Sequence, residues 1–218
     1  MSRAVPRVVS SRIRRFLKSF ISDLSPGVRR LVGELFSGML ASGSCLLSQI
    51  GRRIQDGTTL AHREKRFSRG LDRRGWWQEA LRRRLLARAA GDVGREDLIA
   101  VDLSDVSKPY ARKLEYLDTV RDGSRKTIGP GYWLYEAWHV DASGQPLPLQ
   151  LFPYSTKDPT FVSENEEWLG GLYDLMDALD GKGILMIDRG ADRWKLMKEL
   201  LKRPQSWIIR QTGDRHLV

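Results

Sequence analysis

The 218-residue sequence predicts an α/β protein, a mixed sheet with helices, preceded by an all-α basic domain. Three observations carry this prediction. Two short apolar runs each end on a carboxylate, Leu98-Ile99-Ala100-Val101-Asp102 and Gly183-Ile184-Leu185-Met186-Ile187-Asp188, and the second feeds a helical pattern. Apolar runs without alternation read as central strands buried on both faces. The apolar spacing is helical before Gly91 and mixed beyond Asp97. Finally, residues 1–96 hold 21 Lys+Arg against 8 Asp+Glu, a net of +13, and residues 97–218 hold 16 against 19, a net of −3, which together make the chain's +10. The division reads as a basic module, 1–96, joined to a nearly neutral one, 97–218.

Residues 1–22 mix Arg with Val, Ile, Leu and Phe, giving a basic arm and one amphipathic helix near Ser11–Ile21. Ser25-Pro26 is an N-cap followed by an N1 proline. From there Val28, Leu31, Val32, Leu35, Met39 and Leu40 stripe a helix to about Ala41, which Gly43 stops. A helix is expected over Ser44–Ile54, with Cys45, Leu46, Leu47 and Ile50 inward, and Asp56-Gly57 marks a turn. The following helix, Thr58–Arg69, carries Arg63, Lys65, Arg66 and Arg69 around a small apolar face. Three short helices with the cations on the last resemble a helix-turn-helix unit, whose recognition helix lies in the major groove. An ordinary three-helix bundle with one basic helix has the same pattern. A further helix over 72–90 packs through Trp76 and Trp77, while Arg82 and Arg83 face phosphate or solvent. Gly91–Asp97 is the linker.

The strand 98–102 leads into a polar connection, Ser104–Pro130, of a length that is usually functional or mobile. Tyr132–Val140 reads as a strand, Asp141–Pro146 as a turn and Leu147–Tyr154 as the hairpin partner, whose Pro148 and Pro153 assign it an edge. Ser163–Leu179 is a helix with Glu164, Glu166 and Glu167 at the positive end of its dipole. The strand 183–188, a helix over 190–202 and a strand over Trp207–Arg210 follow. The two Asp-ending strands are joined by a crossover, so they are expected side by side and parallel. Asp102 and Asp188 then stand at adjacent strand ends, where open α/β sheets place their sites. Two carboxylates at one sheet edge suggest a metal site; for Asp188 a helix cap is the competing reading.

Composition excludes several classes. One cysteine rules out an internal disulfide, and the apolar neighbours of Cys45 predict a buried core position. Three scattered histidines give no zinc pattern. No window approaches 18 uninterrupted apolar residues, and the Arg-rich start lacks a signal-peptide core, so a cytoplasmic, nucleoid-associated protein is expected, with no membrane partner. Nucleic acid is the natural partner of the basic half, because neutralising phosphates with Arg and Lys releases counterions. A solvated basic surface is the alternative.

These motifs resemble those of the DDE transposases of bacterial insertion sequences, which share an RNase H-like catalytic core. Val101-Asp102-Leu103-Ser104-Asp105 is similar to the first-aspartate motif. Ile187-Asp188-Arg189-Gly190-Ala191-Asp192 resembles the second, which one large group writes Asp-Arg-Glu-Ala-Asp; here Gly190 takes the place of the Glu. Trp207-Ile208-Ile209-Arg210 resembles the strand ending in a basic residue that follows it. The stretch Asp105 to Ala111, Tyr116-Leu117-Asp118 and Arg121 to Ser124 also looks familial. The likeness spans nearly the whole chain, including the basic amino-terminal region, which in such enzymes binds the element's terminal inverted repeats.

The resemblance implies that Asp102 and Asp188 are the first two catalytic, metal-binding carboxylates, with Asp102 bridging. Asp105 and Asp192 are the nearest alternatives, read as supporting or turn residues. It implies two Mg²⁺ ions in a complete site, for which Mn²⁺ may substitute, performing phosphodiester hydrolysis and strand transfer. The third family residue is a Glu on a helix beyond the last strand. After Asp188 the only Glu is Glu199, on the helix that follows directly, so the chain is expected to be carboxyl-terminally truncated and inactive alone. The implied partners are double-stranded DNA and either a second copy or a full-length transposase. Arg63, Lys65, Arg66, Arg69, Arg82, Arg83, Lys108, Arg189 and Arg210 are the DNA-contact candidates, against ordinary surface charge. Two rivals remain: a non-catalytic DNA-binding regulator, and an unrelated nuclease of the same fold.

Overall fold

A computed structural model describes residues 7–72, 76–141, 143–211 and 213, except the side chains of 7–11, 14 and 76. The first six residues of the basic arm, the start of the expected 72–90 helix and part of the 141–146 turn therefore lie outside the described residues. Two compact units divide between Arg84 and Leu85, inside the helix α5 (Trp76–Ala90), rather than at the Gly91–Asp97 segment.

The first unit holds α1 (Arg7–Ile21), α2 (Pro26–Ser42), α3 (Leu47–Arg53), α4 (Leu60–Asp72) and the start of α5. Ser25 stands at the N-cap of α2 before Pro26, and Gly43 ends that helix at φ 64°, a left-handed conformation open to glycine. Leu17, Phe20, Ile21, Leu24 and Val32 form one apolar cluster, and Leu31, Leu35, Ile50 and Phe67 another. Trp77 packs against both, as its helical spacing predicts. The expected helix over 44–54 is shorter. Ser44 turns back on Ser42 through side-chain hydrogen bonds, and α3 starts only at Leu47. Cys45 is consequently exposed in the turn, not buried.

The second unit is built on a six-stranded mixed sheet. Its strands are β1 (Leu98–Ser107), β2 (Asp118–Asp122), β3 (Thr127–Val140), β4 (Pro146–Tyr154), β5 (Ile184–Ile187) and β6 (Ser206–Ile209). The order is β2-β3-β1-β5-β6, and β4 also pairs with β3. β3 is antiparallel to β1, β2 and β4, while β1, β5 and β6 run parallel. Pro148 and Pro153 lie on β4, which pairs only with β3, as their missing donors require. Between β4 and β5 lies α6 (Glu164–Leu179). After β5 come a 3-10 turn, Arg189–Ala191, and α7 (Trp194–Leu200), where one continuous helix over 190–202 was expected.

About half of the expected polar connection over 104–130 is sheet. β1 continues five residues past Asp102, β2 rises within the segment, and β3 begins at Thr127. Asp118 anchors it. This buried carboxylate accepts hydrogen bonds from Thr156 N–H (2.7 Å), Thr156 Oγ1 (2.8 Å) and Thr119 N–H (2.7 Å). Burial pushes its pKa up, but these donors outweigh burial and leave it below the ordinary value.

One sheet face meets α6 and α7 in a core that includes Ile99, Val101, Tyr135, Ala137, Leu172, Leu175, Leu185, Ile187 and Leu196. The opposite face exposes Leu98, Leu151, Met186 and Ile208. Between Asp97 and His139 a 2.8 Å contact fixes the segment before β1 to the end of β3, and Val93 joins the core. Helix α6 approaches β3 so closely that a Cβ at Gly171 would stand 2.4–2.7 Å from the ring of fully buried Tyr135. Gly170, one residue earlier, faces open space. Gly171→Ala is expected to cost about 1–3 kcal/mol through overpacking. Gly170→Ala, which fills no occupied space, should stabilise by about 0.5–1 kcal/mol. Urea denaturation of both variants checks the pair; equal effects would contradict this packing.

Candidate functional site

The parallel register pairs Val101 with Ile187, so Asp102 and Asp188 are the next residues of two neighbouring strands. Adjacent strands lie about 4.8 Å apart, and side chains alternate across the sheet. Asp102 stands on the face opposite Val101, and Asp188 continues the alternation from Met186. Both carboxylates therefore lie side by side on the same face, but only Asp188 follows the end of its strand. β1 runs on to Ser107 because it keeps pairing with β3, so Asp102 is not at the strand end expected of it.

A third acidic residue, which sequence reasoning missed, shares this surface. Glu136 is the direct antiparallel partner of Asp102 on β3. The only signal was its position, even-numbered between the core residues Tyr135 and Ala137. Trp138 Nε1 donates to Glu136 Oε2 at 2.9 Å and holds it.

Burial raises the Asp102 pKa above its ordinary value of 3.8, and the charge on Asp188, then that on Glu136, pushes it further up against the opposing Leu103 N–H. Asp188 Oδ1 accepts the Gly190 N–H at 2.6 Å, so the capping role is real. A Cβ at Gly190 would stand 2.8 Å from that oxygen, which explains why a glycine suits this turn. Capping engages one oxygen of Asp188 and leaves the other for further bonds.

Asp105 lies three residues further along β1 on the opposite, core-side face. Asp192 is buried beyond the 3-10 turn. Glu199 is committed elsewhere, accepting from Tyr173 Oη at 2.9 Å and Lys202 Nζ at 2.5 Å. Among the described residues no three His, Cys, Asp or Glu side chains form a group that could hold a metal ion.

The DNA-contact candidates separate into distinct sets. Arg63 is a structural tie, donating to Asp56 Oδ1 (2.8 Å), Gly51 O (3.0 Å) and Thr58 O (2.6 Å). Arg66 pairs with Glu34 (2.7 Å) and Asp56 (2.9 Å). Arg82 and Arg83 both grip Glu79, whose pKa falls to about 2, led by the Arg82 hydrogen bond. Lys65 and Arg69 are exposed on α4, and no described side chain pairs with them. In the second unit, Arg189 follows Asp188 directly, and the Arg210 N–H donates to Ile187 O at 3.2 Å, so the backbones of both residues adjoin Asp188. Lys108 follows the end of β1, six residues past Asp102 and about 20 Å away by strand rise.

Comparison with known proteins finds no matching family model and no matching curated protein. Among the described residues no single helix is long and apolar enough to cross a membrane.

The carboxylate pair has a thermodynamic signature. The folded-state pKa of Asp102 is raised, so the native state holds this proton more tightly than the unfolded one. The ionised carboxyl costs stability as pH rises from the unfolded value of 3.8, and the full cost applies above the folded value. Asp102→Asn is therefore expected to raise the melting temperature at pH 7 in chelator, by about a degree because solvent still screens this partly exposed group. The gain should vanish as pH falls below the ordinary aspartate range. An unchanged or lowered melting temperature at pH 7 would contradict the like-charge contact.

Proposed function

We propose that the chain is a transposase-type protein that acts on DNA ends, with Asp102 and Asp188 as the first two carboxylates of a DDE site. The observation that carries this reading is that they stand side by side just past the last pair, Val101–Ile187, of the parallel β1–β5 ladder. A mixed sheet with these two strands side by side is what the resemblance to an RNase H-like core implies.

The donor set suits a hard divalent cation. Mg²⁺ is commonly held by one or two carboxylates together with substrate phosphates, keeping waters for exchange. The like-charge push that Asp188 exerts on Asp102 is relieved when a cation stands between the two. Such an ion would supply Lewis-acid stabilisation of the leaving 3′-oxygen and activation of the attacking water or 3′-hydroxyl. Asp102 and Asp188 would position it, the Gly190 N–H fixes the rotamer of Asp188, and Arg189 and Arg210 would steady the phosphate beside it.

The amino-terminal helical unit is the proposed DNA-binding part. Its α4 presents Ala61, His62, Lys65, Ser68 and Arg69 outward while Phe67 is buried, as a major-groove helix requires.

One observation favours a second reading, a DNA-binding regulator without cleavage. Among the described residues no third ligand joins Asp102 and Asp188. A plasmid carrying the gene's own genomic flanks, incubated with the chain and Mg²⁺ or Mn²⁺, decides between them. Nicking that Asp102→Ala and Asp188→Ala each abolish, with binding retained, supports the transposase. Salt-sensitive binding to the flanks without nicking under either metal supports the regulator. Neither binding nor nicking would overturn both.

A further inference from the structure

Within the amino-terminal unit, α2, α4 and the first turn of α5 enclose a half-open cavity of about 560 Å³. Val28, Leu31 and Trp77 line it together with Arg30, Lys65 and Arg69. The volume is that of a small-molecule site and far exceeds what a single phosphate fills. The charge is just as telling. Among the lining residues, Arg30, Lys65, Arg66 and Arg69 face a single carboxylate, Glu34. Arg30 and Arg66 both donate to Glu34, each at 2.7 Å, which neutralises it. Lys65 and Arg69, one turn apart on α4, are left with no described partner. A ligand that matches this surface has a flat apolar face and an adjoining anion. A nucleotide has both, since every base offers a π-face to an aromatic side chain while Lys and Arg hold its phosphate. Bases inside a duplex are already stacked on one another, so only a nucleotide released from pairing can enter.

We propose that this cavity holds one unpaired nucleotide of a DNA strand, with its base on Trp77 and its phosphate between Lys65 and Arg69. The inference rests on the reading of the amino-terminal unit as a DNA-binding module and adds that this module senses a frayed or single-stranded end. Arg63 and Arg66 hold the helices in place around the cavity, through Asp56, Glu34 and the Gly51 and Thr58 carbonyls. The selective contacts fall to Trp77, Lys65 and Arg69.

The test uses the full chain and two metal-free probes, a blunt DNA duplex and the same duplex with a three-thymidine overhang. The overhang duplex should bind about tenfold tighter, the scale of one base–aromatic stack. Binding it should quench tryptophan fluorescence more than the blunt duplex does. Trp77→Phe keeps an aromatic side chain, so the preference should persist while the overhang-dependent quench disappears. The double variant Lys65→Glu/Arg69→Glu changes only exposed side chains, and the preference should fall to within twofold of unity. Equal affinity for the two duplexes, or a quench that survives Trp77→Phe, overturns the nucleotide site and leaves DNA binding by the unit standing. Absence of binding to either duplex overturns the site together with the reading on which it rests.

Discussion

The parallel pairing of β1 with β5 is the constraint on which the rest of the second unit depends. Four residue pairs, Leu98–Ile184 to Val101–Ile187, set the register. Ile99, Val101, Leu185 and Ile187 bury themselves in the same core beneath that ladder. A slip by one residue would turn each strand over and send its carboxylate to the core face. Register is therefore protected by the burial of four large side chains, and the carboxylate pair inherits that protection. The packing of Gly171 on Tyr135 belongs to the same layer, since it sets how closely α6 lies over β3 and hence over the partner strand of Asp102.

Charge is used in opposite ways in the two units. In the first, most of the prominent arginines are consumed internally. Asp56 gathers Arg30, Arg63 and Arg66, with Thr58 the largest single cause of its depressed pKa and Arg63 the next. Net charge alone therefore overstates the cationic surface available to a ligand, although Lys65 and Arg69 on α4 and Arg12, Arg15 and Lys18 on α1 stay exposed. In the second unit, carboxylates are brought together with no ion pair to Asp102, Asp188 or Glu136 among the described residues. Asp102, Asp188 and Glu136 converge on one sheet face, and the cost appears as a raised proton affinity at Asp102. Structural ion-pair networks and unbalanced like charges have different meanings. The first holds helices together, and the second marks a place where a cation or proton is wanted.

Long periodic segments were legible in the sequence. The helix Ser163–Leu179 agrees to a residue with the observed α6 and its Ser163 cap, and the crossover rule was enough to place the two Asp-ending strands side by side. Short or polar strands were not. β2 is Asp118-Thr119-Val120-Arg121-Asp122, in which two alternate positions are buried and the flanking charges read as loop. Its place in the sheet comes from Asp118, whose partners Thr156 and Ser155 are nearly forty residues away. Cys45 was misplaced because its apolar neighbours suggested a helix, whereas the Ser42–Ser44 hydrogen bonds claim that turn. Local composition cannot reveal Glu136, which faces Asp102 only through the register of β1 on β3. Nor can it reveal that Arg63 and Arg66 are tied down while their neighbours Lys65 and Arg69 are not.

A divalent cation shared by Asp102 and Asp188 is the central claim, and Mn²⁺ binding measured by electron paramagnetic resonance addresses it most directly. The wild-type chain, Asp102→Asn, Asp188→Asn and the double variant form a thermodynamic cycle. If one ion is held by both carboxylates, either single change should remove nearly all of the affinity and the double change should add little more. Additive losses, or affinity unchanged in both single variants, would contradict a shared site and leave Asp188 as the cap of the turn that follows it.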